Sequence, residues 1–133
     1  MVVIDTDVAI HWRDGDAAVQ TLLASLPMLP AISVITQVEL ENGVYRDTTQ
    51  SARRRARLDM LLAKLTVLAF TRETAANFAT IVAQRGFSRW RTADRMIAAT
   101  AIMHDATLVT MNGADYRDVA GLKLTVWPVP APS

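Results

Sequence analysis

Carboxylates standing at the edges of apolar runs are the side chains of this 133-residue sequence best placed for chemistry. Asp5 closes Val2-Val3-Ile4, Glu39 lies just after the run Ala31 to Val34, and Asp94 heads a stretch that is apolar almost all round from Met96 to Met103. Asn112 comes immediately past Thr107-Leu108-Val109, with Asp115 and Asp118 following. Three or four such oxygens gathered from different strand ends suit Mg²⁺ or Mn²⁺, hard cations that take carboxylates and keep water on their remaining positions. A water made more acidic by the metal could attack a phosphodiester in line, with no histidine or covalent nucleophile required. The chain has no cysteine, and its histidines are His11 and His104 alone, so thiolate and histidine-rich sites are excluded and a metal must sit on oxygen.

Each of these residues also has a plainer use. Asp5 or Asp7 could cap a helix. Thr36 and Glu39 match a capping box, in which Glu39 reaches back to the Thr36 amide. Asp94 could merely complement a helix dipole, although a charge heading so apolar a helix calls for a polar pocket or a cation. Asn112-Gly113 is a standard turn dipeptide, and Asp115 and Asp118 could be solvated.

The elements that would position these groups alternate. The β-branched run at Val2 to Ile4 reads as a buried central strand, followed by a helix over Ala17 to Leu26 and a second strand at Ala31 to Val34. Helices over Thr36 to Tyr45 and from Ser51 to Lys64 form a hairpin, the second with Leu58, Leu61, Leu62 and Leu65 at helical spacing. Thr66 to Phe70 is a third strand, and Thr71 caps a helix striped by Ala75, Phe78, Ala79 and Val82 and stopped at Gly86. The helix opened by Thr92 should run through the middle of the fold, before strands at Thr107 to Val109 and Leu122 to Val126. This order predicts an α/β fold with a mainly parallel sheet, helices on both faces, and a site outside the carboxyl ends of the strands.

Length and a hydrophobic content of 51% predict a single domain over 1–133, with the proline-rich 128–133 as a flexible tail. A net charge of +1 argues against gripping phosphates over the whole surface, so nucleic-acid binding would be local. With no apolar run of membrane-spanning length and no signal-peptide pattern, a cytoplasmic location is expected.

Taken in order, Val3-Ile4-Asp5-Thr6-Asp7-Val8, Ser33 to Leu40 with Gly43, Ala93 to Ala101, and Thr107 to Asn112 through Asp115-Tyr116 to Gly121-Leu122 resemble the PIN domain, in particular VapC toxins of bacterial toxin–antitoxin pairs. The resemblance covers nearly the whole chain. It implies an α/β/α sandwich, a Mg²⁺- or Mn²⁺-dependent endoribonuclease acting on RNA, inhibition by a cognate VapB-type antitoxin, and a homodimer. Asp5, Glu39 and Asp94 match the family's three core acids, and its fourth acidic position falls at Asn112, which lowers the site's charge and which Asp115 would compensate. Thr6 is expected to orient Asp5, and Asp7 to add to the metal's surroundings. The antitoxin would lie in an apolar groove near the hairpin and set an arginine against the carboxylates.

Arg85, Arg89 and Arg91 precede Asp94 and are expected to steer phosphate. Arg53-Arg54-Arg55 and Arg57 cannot all share one helix face; solvent, RNA backbone and antitoxin are each open to them. Trp12 and Trp90 could stack a base or pack at an interface. Two other functions compete. Asp5-Thr6-Asp7 also begins haloacid-dehalogenase-type phosphatases, although the lysines here are only Lys64 and Lys123. The loss of an acid at Asn112 would equally suit a PIN-like module that binds RNA or protein without cutting.

Overall fold

The strands are short because each is a brief β-branched or apolar run, of which the three central ones are buried on both faces and the two at the edges stay partly exposed. In the computed structural model, which describes residues 1–131, they are β1 (Val2–Ile4), β2 (Ala31–Ser33), β3 (Thr66–Leu68), β4 (Thr107–Thr110) and β5 (Lys123–Val126). They form one wholly parallel sheet in the order β3-β2-β1-β4-β5. The chain builds outward from β1 to β3, then returns to the other side of β1 for β4 and β5. The sheet's switch point therefore lies between β1 and β4, where the connections leave in opposite directions and open a crevice. Of the tail expected at 128–133, residues 132 and 133 lie outside the described residues.

Helices cover both faces, giving the α/β/α sandwich. They are α1 (Thr6–Arg13), α2 (Ala17–Ala24), α3 (Val34–Arg46), α4 (Ser51–Lys64), α5 (Arg72–Arg85) and α6 (Thr92–Met103). The period-2 alternation of the strands divides the core. Val3, Ala31 and Leu108 face α5 and α6, where they meet Ile81, Ile97 and Ala101. Ile4, Ile32 and Val109 face α1 to α4 and meet Val8, Val19, Leu40, Val44, Leu58 and Leu61. Along α6 every residue from Ile97 to Ala101 is buried, so the helix headed by Asp94 lies against the sheet as its all-round apolarity predicts.

Three local expectations are corrected. The first helix, α1, follows β1 directly, with Asp5 as its N-cap; His11, Arg13 and Asp14 blur its apolar stripe in the sequence. Helix α3 begins two residues before Thr36 and is capped by Ser33, whose Oγ accepts from the Ile35 amide, so Thr36 and Glu39 form no capping box. In α5 the buried positions are Thr74 and Ile81, with Phe78 half-buried, whereas Ala75 and Ala79 are exposed. Alanine is too small for its position to report which face is inward. The predicted α3–α4 hairpin forms, tied by Arg54 Nη1 donating to the Gly43 carbonyl at 2.9 Å.

Candidate active site

A cleft of about 370 Å³ opens at the carboxyl ends of β1 and β4, and the carboxylates of Asp5, Asp7, Glu39, Asp94 and Asp115 all line it. They arrive from five places: the end of β1, the first turn of α1, the middle of α3, the first turn of α6, and a 3₁₀ turn at Gly113–Asp115. Arginines 13, 46 and 54 line the same cleft from the α1, α3 and α4 side.

Asp5 is 4% exposed and fully engaged. One oxygen accepts from the Val8 amide at 3.1 Å, and the other accepts from the Thr110 hydroxyl at 2.6 Å. Capping and site position are thus the same fact, because the end of the strand next to the switch point is also the start of α1. Glu39 is held by the Thr6 hydroxyl, which donates to Oε1 at 2.5 Å and stands 3.1 Å from the Thr36 hydroxyl. Thr6 therefore fixes Glu39 rather than Asp5, since as the first residue of α1 it faces α3 while Thr110 already holds Asp5. Asp94 is half-buried and accepts from the Tyr116 hydroxyl at 3.2 Å.

The fourth acid in the cleft is Asp115. Its two oxygens accept from Arg91 Nη1 at 3.1 Å and from Asn112 Nδ2 at 2.7 Å. Asn112 itself is exposed and lines a different cavity with Asp7 and His11. The residue at the sequence's fourth acidic position acts here as a donor to the neighbour that enters the cleft.

Burial, first, and then the surrounding carboxylates raise Asp5 to about 6; Thr110 and the Val8 amide oppose this. Asp94 is likewise pushed to about 6 by burial and by Asp115, Glu39 and Asp7. Burial above all, and then the charges of Asp5, Asp94 and Asp115, push Tyr116 far above the usual phenol range, which leaves it a permanent donor to Asp94. Among the described residues no three acidic side chains stand close enough together to grip one ion as they are. The donor chemistry still fits a divalent cation: every acid offers oxygen, and the charge that raises Asp5 and Asp94 is what a cation would offset.

Arg85 is paired with Asp118 and Arg91 with Asp115, while Arg89 lies 5.6 Å over the exposed ring of Trp90. Trp12 packs against the core beside α1 to α4. Sequence reasoning missed Thr110, Tyr116 and two of the cleft's arginines, Arg13 and Arg46, whereas Arg54 belongs to the cluster for which it left RNA contact open. Thr110 left one signal, a polar residue ending an otherwise apolar strand.

The model of the PIN domain matches residues 2–122. The chain belongs to the PIN-domain family. Solved structures similar to it include VapBC2 from Rickettsia felis bound to a DNA fragment from its promoter, with a TM-score of 0.82 and 24% identity over 96% of this chain and 99% of that one. DNA-bound VapBC from Salmonella typhimurium matches with a TM-score of 0.81 and 22% identity, covering 95% of this chain and 97% of that one. FitAcB from Neisseria gonorrhoeae is 26% identical with a TM-score of 0.77, covering 93% of this chain and 96% of that one. No curated protein sequence matches. These likenesses bear out the five-stranded parallel sheet flanked by helices. No helix among the described residues is long and apolar enough to cross a membrane.

Proposed function

We propose that this PIN domain is a metal-dependent endoribonuclease and the toxin of a VapBC-type pair, neutralised by a VapB-type antitoxin and working as a homodimer. The observation that carries the reading is the set of five carboxylates lining one cleft at the β1–β4 switch point. Asp5, Glu39 and Asp94 would hold Mg²⁺ or Mn²⁺, with Asp115 in the fourth acidic place and Asp7 beside them. When bound, the ion supplies positive charge for the phosphodiester oxygens and acidifies water.

The chain's own residues do the positioning. Thr110 and the Val8 amide fix both oxygens of Asp5, Thr6 fixes Glu39, and Tyr116 fixes Asp94. Such preorganisation spares the acids from reorienting as charge develops on the phosphate. Arg13 is paired with Asp14, whereas Arg46 and Arg54 line the same cleft outside any ion pair among the described residues and supply charge for a phosphate that the carboxylates alone would repel.

The competing readings are less well supported. Neither lysine lines the cleft, and Asp5, with both oxygens engaged, is poorly disposed to form a phosphoaspartate. Asp115 restores the fourth acid whose loss at Asn112 suggested a non-catalytic module. The partner assignment leans on relatives described as toxin–antitoxin or VapBC complexes, among them one from Klebsiella pneumoniae.

Purified, antitoxin-free protein should cut RNA with Mg²⁺ or Mn²⁺ and not with EDTA, and Asp5→Asn or Asp94→Asn should lower the rate more than 100-fold, the order expected for loss of an essential group. RNA that survives every metal, or a trapped phosphoenzyme, would sink the reading. Expression should arrest growth unless a cognate VapB-type antitoxin is co-expressed.

A further inference from the structure

The arginines of α4 separate into two sets. Arg55 turns away from the cleft and is neutralised by Glu41 and Asp59. Arg53, Arg54 and Arg57, at spacings of one, three and four residues, border a cavity of about 220 Å³ with Gln50 and Asp14. Arg54 lines both this cavity and the acidic cleft, so the two adjoin.

None of the three is in an ion pair among the described residues, and two of their side chains are anchored. Arg54 Nη1 donates to the Gly43 carbonyl at 2.9 Å and Arg57 Nη1 donates to the Asp14 carbonyl at 3.2 Å, main-chain bonds that fix a guanidinium without cancelling its charge. Asp14, the acid bordering the cavity, is taken by Arg13 at 3.0 Å. Among the described residues Arg46, Arg53, Arg54 and Arg57 take part in no ion pair, in contrast to Arg85 and Arg91.

We propose that Arg53, Arg54 and Arg57, continued into the cleft by Arg46, form a track that holds the backbone phosphates of single-stranded RNA on the α4 side of the acidic centre. This deepens the nuclease reading and rests on it. The cavity's lining is wholly polar, without the apolar side chains on which a protein segment would pack. A guanidinium keeps donors to spare after one main-chain bond, and phosphate takes them in pairs. The track also gives the strand a side: it leaves the cleft over the start of α4, away from Arg85.

The test uses the full chain with Asp94→Asn to block cutting, and a fluorescent single-stranded RNA oligonucleotide titrated by anisotropy at several KCl concentrations. Arg53→Gln/Arg57→Gln should weaken binding roughly 10-fold and flatten the plot of log affinity against log salt by about 1.4, at about 0.7 for each phosphate no longer neutralised. Lys123→Gln, at the opposite edge of the sheet where it pairs with Asp105, should match the parent. Arg53→Lys/Arg57→Lys should recover most of the slope, which separates missing charge from a damaged helix. A slope unchanged by Arg53→Gln/Arg57→Gln overturns the track, as does a parent that binds no RNA. Unchanged RNA binding with weakened hold on the co-expressed antitoxin would assign the arginines to a protein partner, and also overturns it. If the parent binds RNA with the predicted slope change while the wild type cuts nothing, the track stands and the nuclease reading falls.

Discussion

Asp5 ends a strand, caps a helix and lines the cleft, and these roles conflict energetically. Its folded value of about 6 lies above the ordinary 3.8, so between those pH values the unfolded chain releases its proton first and stability falls as pH rises. Above pH 6 the full penalty is present, on the order of 3 kcal/mol for so buried a group. Asp5→Asn keeps a capping oxygen for the Val8 amide and loses the charge. In EDTA at pH 7.5 it should melt about 5 °C or more above the wild type, with no cleavage activity; a lower melting temperature would refute the strain. Tyr116 acts in the opposite sense on Asp94, since its donated bond lowers the acid against burial and neighbours that raise it. Tyr116→Phe should therefore move the acidic limb of the cleavage profile to higher pH, and an unmoved limb would deny Tyr116 that role. Asp5, Glu39 and Asp94, which do line one cleft, were legible in the sequence through their joint order, since the run beside each also allowed a plain cap or dipole role. Their supports were not: Thr110 lies 105 residues from Asp5 and Tyr116 lies 22 from Asp94, and local pattern carries no such pairing.

At the scale of elements, periodicity recovered the runs that bury large side chains and failed where small or charged residues mask the face. The five strands and the α3–α4 hairpin rest on Val, Ile and Leu, whose burial stabilises by about 1.5–3 kcal/mol each. Helix α1 is masked in the sequence because its buried face includes the small Ala9 and the charged Arg13, whose whole side chain is buried and paired with Asp14. The turn after β4 was read as Asn-Gly geometry, yet Gly113 is needed for space. A Cβ there would lie 2.7 Å from Val126 Cγ2 and 2.9 Å from Arg117 Nη2. The arginine can swing away, whereas Val126 is held in β5. Gly113→Ala should cost about 1–3 kcal/mol in chemical denaturation, as overpacking does, and slow cleavage, because the turn that shifts carries Asp115 two residues on. Unaltered stability and rate would show that the turn yields freely.

For the whole molecule, the cleft joins what the sheet separates. Asp7 and Glu39 belong to the helical layer of α1 to α4, Asp94 belongs to the layer of α5 and α6, and Asp5 sits at the end of the strand between them. A cation shared by these groups would bridge both layers, so its stabilisation should reach the entire fold, by about 2.7 kcal/mol at a hundredfold excess over the dissociation constant. Calorimetry at pH 7.5 should then show one cooperative transition that Mn²⁺ moves upward as a unit. The shift should fade at pH 4.5, well below the values of about 6 for Asp5 and Asp94, where protonated acids no longer repel one another and no longer hold metal. A shift equal at both pH values would place the ion elsewhere on the surface, and a transition that splits on adding Mn²⁺ would mean that it binds one layer alone.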